Sequence, residues 1–265
     1  MTEIKVLAGT EGFENLDTKK VALIDVEGTL TPDNKKVPED PEPEHVYKIF
    51  DGKSFEVKTD LGYWSGLHLL AGERPSEYFK RVENWWNGKT SREEFEEQNV
   101  KQLNTLLENT DHDTAQELVE WYNKSFLDLR NESQELVGVL KNAGHAVGII
   151  SHTSESLSKT VASEVEADFV VPAWRFKFKN GKFEYIEKKV YADDKSEVLT
   201  ELDEAGIKEV AFIGNGENDV QIAEQADKAY MVENEEVIDY EKVDARTGDF
   251  ERVLKAIKDD FKGGN

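Results

Sequence analysis

The sequence predicts an α/β protein: a doubly wound, Rossmann-like parallel sheet with a mainly helical insertion after its first strand. Three observations carry that prediction. Short apolar runs end in small polar clusters, as buried parallel strands do. Amphipathic helical patterns alternate with those runs. One long block, residues 34–127, breaks the alternation and reads as mainly helical after Tyr63.

The first run is "VALID", which ends at Asp25 and passes straight into "VEGT". The second lies in "HAVGIISHTSES" and ends at Ser151. The third lies in "EVAFIGNGEND" and ends near Gly214. Ahead of the second, "NESQELVGVLKNAG" sets Leu136, Val139 and Leu140 at helical spacing, with Gly144 as the stop. Ahead of the third, "KSEVLTELDEAG" repeats the design with Val198, Leu199 and Leu202 and stops at Gly206. "DVQIAEQAD" can start a helix directly after the third strand. Ligands in such sheets bind outside the carboxyl ends of the strands. Asp25, Ser151 and residues 214–219 all fall at such ends.

In the insertion, "PSEYFKRVENWWNG", "SREEFEEQNVKQLNTLLEN" and "DTAQELVEWYNKSFLDL" read as helices. The expected domains are a core of residues 1–33 and 128–265 and a cap of residues 34–127 over the strand ends. Trp64, Trp85, Trp86 and Trp121 are expected to pack the interior of that cap. "KKVPEDPEPEH" holds three of the chain's six prolines and reads as an irregular link. "WRFKFKNGKFEYIEKK" alternates aromatics around Asn180-Gly181, which predicts a β-hairpin.

Composition narrows the function. Acids outnumber bases 56 to 33, for a net charge of -23 spread along the whole chain. A nucleic-acid binder needs a basic stripe, and an anionic membrane surface would repel this chain. The acidic surface would suit a saline cytosol, where salt screens the repulsion. There are no cysteines, which removes disulfides, thiolate metal sites and cysteine nucleophiles. No apolar run is long enough to span a membrane, and "MTEIKVLAGTEGFENLD" lacks a signal-peptide pattern. A cytoplasmic protein is expected, of unspecified oligomeric state.

Taken singly, the polar residues at the strand ends have ordinary explanations. An aspartate after an apolar run is a common turn former. Serine is a common helix cap. The glycines of "GNGEND" could simply make a tight turn.

Their order is more specific. Asp25-x-Glu27-Gly-Thr is followed by a strand ending in Ser151, by Lys195 opening a helix, and by Gly-x-Gly-x-Asn-Asp after a strand. This resembles the haloacid dehalogenase superfamily of phosphatases, in its phosphoserine-phosphatase-like branch. The 44 residues from Ser151 to Lys195 and 19 more to Gly214 fit that branch. The resemblance runs from about Lys20 to the end of the chain. It implies a phosphoric monoester hydrolase acting on a small phosphorylated metabolite, with Mg²⁺ and an aspartyl-phosphate intermediate. Asp25 would be the nucleophile and a metal ligand. Glu27 would supply its main-chain carbonyl to the metal and its carboxyl as acid and base. Ser151 and Lys195 would bind phosphoryl oxygens. Asn215 and Asp219 would complete the metal site, and Asn218 would help orient the loop and the substrate.

The sequence also departs from that pattern. Glu27 and Asn215 stand where the family usually has aspartate. The Asp-x-Glu arrangement resembles the enolase-phosphatase branch. The second motif reads "SHTSE" where phosphoserine phosphatases continue Ser-Gly-Gly, so His152 is expected to meet a different leaving group or to cap the next helix. Asn34 falls near the position of their amine-binding acid, and "FEEQNVKQLN" offers no match for their cap arginine. A second reading stays open: a weakened relative that binds a phosphorylated ligand or a protein partner.

Overall fold

The computed structural model describes residues 4–31, 63–70, 73, 75–105, 114–188, 194–232, 245–247 and 249–261. The proline-rich stretch from 35 to 45 and Asn34 lie outside them. The chain divides into two compact units. One comprises Met1–Asp33, Asp128–Trp174 and Lys188–Asn265, the other Asn34–Leu127 and Arg175–Glu187.

The strands are β1 (Lys5–Val6), β2 (Lys20–Ile24), β3 (Ala146–Ser154), β4 (Phe169–Lys179), β5 (Lys182–Lys188), β6 (Glu209–Gly214), β7 (Lys228–Val232) and β8 (Ala245–Thr247). Their order in the sheet is β1-β4-β3-β2-β6-β7-β8, and each neighbouring pair is parallel. β5 folds back on β4 across Asn180-Gly181, both at positive φ. Helix α1 (Thr10–Glu14) belongs to the first unit. Helices α2 (Tyr63–Leu70), α3 (Pro75–Trp86), α4 (Arg92–Asn104) and α5 (Ala115–Phe126) belong to the second. Helices α6 (Ser133–Asn142), α7 (Glu155–Glu164), α8 (Glu197–Glu204), α9 (Val220–Gln225) and α10 (Phe250–Phe261) return to the first.

The sheet is doubly wound, as its apolar runs require. Val21, Ala22, Leu23 and Ile24 of β2 are all fully buried, so β2 needs cover on both faces. On one face Val21, Leu23, Ile150, Phe169 and Phe212 pack with Phe13 of α1, Val198 and Leu202 of α8, and Ile222 of α9. On the other, α6 packs against β3 and α10 against β7, burying Leu136, Leu140, Val253 and Ile257. The chain adds β3 and β4 on one side of β2 and β6 to β8 on the other. The reversal of order therefore falls at β2, where such sheets hold their ligands.

One strand runs further than its pattern suggests. β3 continues past Ser151 to Ser154, with a register shift against β4 between those residues. The extra residue there is a bulge, a device that re-aims side chains near functional sites.

In the second unit, capping boxes start two helices. Ser91 and Glu94 exchange bonds at the head of α4, and Thr114 and Glu117 do so at α5. Tyr63, Leu67, Leu103, Leu118 and Tyr122 form its buried interior. Trp85 stacks on Phe95, and Trp64 meets Phe176 edge-on. Phe176, Phe178 and Phe183 pack on one another across the hairpin, so its outer part groups with the helices. The same unit holds a polar cluster. Arg81 pairs with buried Glu73 and bonds the Asn99 side-chain carbonyl at 2.9 Å, with His68 Nδ1 3.3 Å away. Burial, with Arg81 beside it, pushes His68 down to about 3.

Candidate active site

Asp25 follows the last residue of β2. Its main-chain N–H bonds the Ile213 carbonyl at 2.9 Å, which carries the ladder with β6 one step past Ile24. Its side chain makes no capping bond to the turn over Val26–Leu30. It is not a turn former. Its Oδ1 instead accepts from Lys195 Nζ at 2.6 Å.

Lys195 sits in the turn just before α8, and its ammonium is shared. It also donates to Asp219 Oδ1 at 2.6 Å. Asp219 precedes α9, and its other oxygen, Oδ2, accepts from the Asn215 main-chain N–H at 2.9 Å. Asp25, Lys195 and Asp219 are each 5 % exposed or less. One buried cation thus serves two buried carboxylates, and the cluster carries an excess negative charge when both are ionised. The pKa shifts follow from burial first and from that count second. Burial pushes Asp25 up to about 7; Lys195 pulls it down, while Asp219 and Glu27 push it up. Burial works against the Lys195 charge, but Asp219 and Asp25 outweigh it and hold the ammonium above the usual lysine range.

The loops are packed against each other. Thr29 Oγ1 reaches both Asp25 Oδ2 and Asn215 Oδ1, each at 3.5 Å. Gly28 has φ +82, and a methyl group there would run into the Asn215 side chain. A methyl group on Gly214 would run into Asp219 Oδ2. Gly28 and Gly214 are therefore close-approach residues, and Gly28 is a turn former as well, whereas a methyl group on Gly216 would meet nothing.

Register brings in Ser151. Ile24 pairs with Ile149 across β2 and β3, so Ser151 lies one step beyond the level of Asp25 on the adjacent strand, about 5 Å away sideways. Ser151 caps no helix; that task falls to Ser154, whose hydroxyl accepts from Leu157 N–H at 3.3 Å. Nor does His152 cap α7; it is half-buried, next to Ser151 in the bulge. Thr153, which nothing in the sequence singles out, donates to Ser151 Oγ from its main-chain N–H and its hydroxyl, both at 3.2 Å. With both lone pairs so occupied, the Ser151 hydroxyl is left as a donor. Asn218 is exposed on the short turn Glu217–Asp219 and takes no part in the bonds that tie the cluster. Glu27 is half-buried and within electrostatic reach of Asp25.

Among the described residues, no group of three or more His, Cys, Asp or Glu is placed to hold a metal. The donor set at the strand ends is instead two carboxylates and an amide, with Asn215 Oδ1 and Asp25 Oδ2 facing the same Thr29 hydroxyl. Hard oxygens of this kind fit Mg²⁺, which keeps several of its own waters. The amide in place of a third carboxylate makes that fit a weak one. A hollow of about 710 Å³ beside Lys5, Lys141 and Asp168 is at the opposite, amino-terminal, end of the strands and has no part in this cluster.

Residues 19–227 match the profile of the haloacid dehalogenase-like hydrolases. The chain belongs to that family. No curated protein matches it. Solved structures that resemble this hydrolase include a phosphoserine phosphatase from T. onnurineus in complex with NDSB-201, at 21% identity and a TM-score of 0.56 over 92% of this chain and 98% of that one. A phosphoserine phosphatase in apo form matches at 20% identity and a TM-score of 0.58, over 90% and 98% of the two chains. A phospho-aspartyl intermediate analogue of phosphoserine phosphatase matches at 20% and 0.56, over 90% and 99%. These likenesses establish the fold of the hydrolase. No helix among the described residues is long and apolar enough to cross a membrane.

Proposed function

We propose that this hydrolase cleaves a small phosphorylated metabolite through an aspartyl-phosphate on Asp25. The observation that carries the reading is the Lys195 ammonium, 2.6 Å from both Asp25 and Asp219 in a buried site at the strand ends. A carboxylate that only ended a strand would have no need of a buried lysine. A nucleophile that must approach an anionic phosphoryl group does.

In this reading an Asp25 oxygen attacks phosphorus, and the ester P–O bond breaks. The Glu27 carboxyl gives its proton to the leaving oxygen. Water then attacks the phosphoenzyme and gives a proton to Glu27. The P–O bond to Asp25 breaks, and inorganic phosphate leaves. Ser151, kept as a donor by Thr153, binds a phosphoryl oxygen, and Lys195 offsets charge beside Asp25. Asp25, the Glu27 main-chain carbonyl, Asn215 and Asp219 would hold Mg²⁺, which when bound offsets phosphoryl charge and favours the ionised Asp25. His152 and Asn218 would border the leaving group. The second unit, Asn34–Leu127 with Arg175–Glu187, would take the cap's role of selecting the substrate. The cytoplasm is the proposed compartment.

A second reading, a weakened relative that binds a phosphorylated ligand or a protein partner, draws on Asn215, which removes a charge from the metal site. A phosphometabolite panel that includes phosphoserine, assayed with Mg²⁺ and with chelator, separates the two. Turnover that needs Mg²⁺ and is abolished in Asp25→Asn supports the phosphatase. Ligand binding with no turnover at saturating Mg²⁺ supports the weakened relative.

A further inference from the structure

The turn that carries Glu27 is held from outside by the segment that leads into α6, chiefly by Arg130. Arg130 Nε donates to the Thr29 carbonyl at 2.9 Å, and Nη2 donates to the Gly28 carbonyl at 3.3 Å. The Arg130 main-chain N–H takes the Leu30 carbonyl at 2.8 Å, and Ser133 Oγ donates to the same carbonyl at 3.1 Å. The guanidinium itself is seated over the Phe250 ring, 5.1 Å from its centre, at the head of α10. Three successive carbonyls after Glu27 are thus tied to Arg130 and Ser133, the segment that leads into α6.

The inside of the turn is closed separately. Thr31 N–H bonds the Val26 carbonyl at 3.0 Å, and Thr31 Oγ1 bonds the same carbonyl at 3.2 Å. Gly28 N–H bonds Thr31 Oγ1 at 3.3 Å. These bonds engage the Val26 carbonyl, the Gly28 N–H and Thr31, whereas the Gly28 and Thr29 carbonyls are engaged by Arg130. The Gly28 and Thr29 carbonyls follow directly on the reversal made at Glu27 (ψ 121) and Gly28 (φ 82), so a shift of these peptides is passed back through that reversal to the Glu27 backbone. The forked guanidinium fixes both peptides together, which a single point donor cannot do.

We propose that Arg130 is a positioning residue for Glu27, the acid and base of the reaction; the proposal rests on the phosphatase reading above. Arg130 touches no reacting atom. It acts by holding the peptides that aim the Glu27 carboxyl at the leaving oxygen. A glutamate depends on this more than an aspartate would, because each extra rotatable bond magnifies a backbone error at the carboxyl. A misplacement of about 1 Å costs on the order of a hundredfold in rate.

A merely structural arginine and a positioning arginine differ in which substrates suffer. An alkyl phosphate needs its leaving oxygen protonated, whereas p-nitrophenolate leaves without help. The test compares kcat/KM for glycerol phosphate and p-nitrophenyl phosphate, with Mg²⁺ present, in wild type, Arg130→Ala, Arg130→Lys and Glu27→Gln. The values report the steps up to departure of the leaving group. Arg130→Ala should lose about tenfold or more on glycerol phosphate beyond its loss on p-nitrophenyl phosphate. Arg130→Lys should fall between, and added guanidinium ion should restore part of the Arg130→Ala rate. In a Glu27→Gln background the Arg130 substitution should cost little more on glycerol phosphate. Equal losses on both esters, or full additivity with Glu27→Gln, would overturn the assignment of Arg130 while leaving the hydrolase reading in place. Wild-type protein that cleaves neither these esters nor any member of the phosphometabolite panel overturns both; if only a panel member is cleaved, the alkyl phosphate turned over best takes the place of glycerol phosphate. Arg130→Lys carries the same comparison if Arg130→Ala does not fold.

Discussion

Asp25→Asn should stabilise the metal-free protein at alkaline pH while it removes turnover. The amide keeps the size of the carboxyl and can still accept from Lys195, so packing is conserved. What changes is charge. In the folded protein burial raises Asp25 from 3.8 to about 7. The unfolded chain therefore releases this proton about three units earlier than the folded one. A carboxyl whose folded pKa is raised contributes stability in full below the unfolded value and loses it as pH rises to the folded value. Ionised Asp25 is thus a liability that grows from about pH 4 to about pH 7 and is constant above. Between pH 5 and pH 8 about two of the three units are traversed, which corresponds to about 3 kcal/mol. The amide of the variant cannot ionise and should escape this loss. At roughly 2–4 °C per kcal/mol for a chain of this size, the melting difference between variant and wild type should widen by about 6–12 °C from pH 5 to pH 8. Differential scanning fluorimetry in chelator at the two pH values reads this directly. Melting curves that shift in parallel with pH would refute the reasoning, because they would mean that Lys195 keeps Asp25 ionised throughout and that burial is not the dominant influence.

Asn215→Asp restores a charge beside the proposed Mg²⁺ position and should lower the Mg²⁺ concentration for half-maximal rate by about tenfold or more, for a contact gaining about one to a few kcal/mol. The same change should raise the melting temperature more steeply with Mg²⁺ than in wild type; equal metal dependence in the two proteins would remove Asn215 from the metal site. The net charge of -23 makes a separate prediction. If the acidic surface is adapted to salt, raising KCl from low to molar levels should raise the melting temperature by screening repulsion, and a flat or falling curve would reject salt adaptation without touching the enzyme assignment.

Much of the first unit was legible in the linear chain for a physical reason. A strand buried on both faces is apolar at every position, as "VALI" is, and a helix on its surface repeats at about 3.6 residues, as Leu136 and Leu140 do, although Val137 and not Val139 completes that buried face. The boundaries were less legible. β3 passes Ser151 because a bulge against β4 absorbs the extra residue, and a bulge leaves no mark in hydrophobic alternation. The hairpin was readable from Asn180-Gly181, since only residues tolerant of positive φ fit that turn. Its grouping with the helices was not, because it depends on Phe176 meeting Trp64, far away in the chain.

By itself the sequence determined the chemistry available: an aspartate at the end of the first core strand, a glutamate two residues on, and a serine, a lysine and an Asn/Asp loop in the order the family uses. Tertiary structure alone decided which of these groups act on one another. Lys195 lies 170 residues from Asp25 and 24 from Asp219, yet bonds both. Thr29 and Asn215 are drawn together across 186 residues. Arg130 and Thr153 carried no signal in the chain, because an arginine in a connecting segment and a threonine after a strand are common everywhere. Their roles arise from hydrogen-bond geometry, and burial is what gives that geometry its energy: ionising Asp25 costs little in water, but at the closed end of this sheet its pKa depends on one shared ammonium ion.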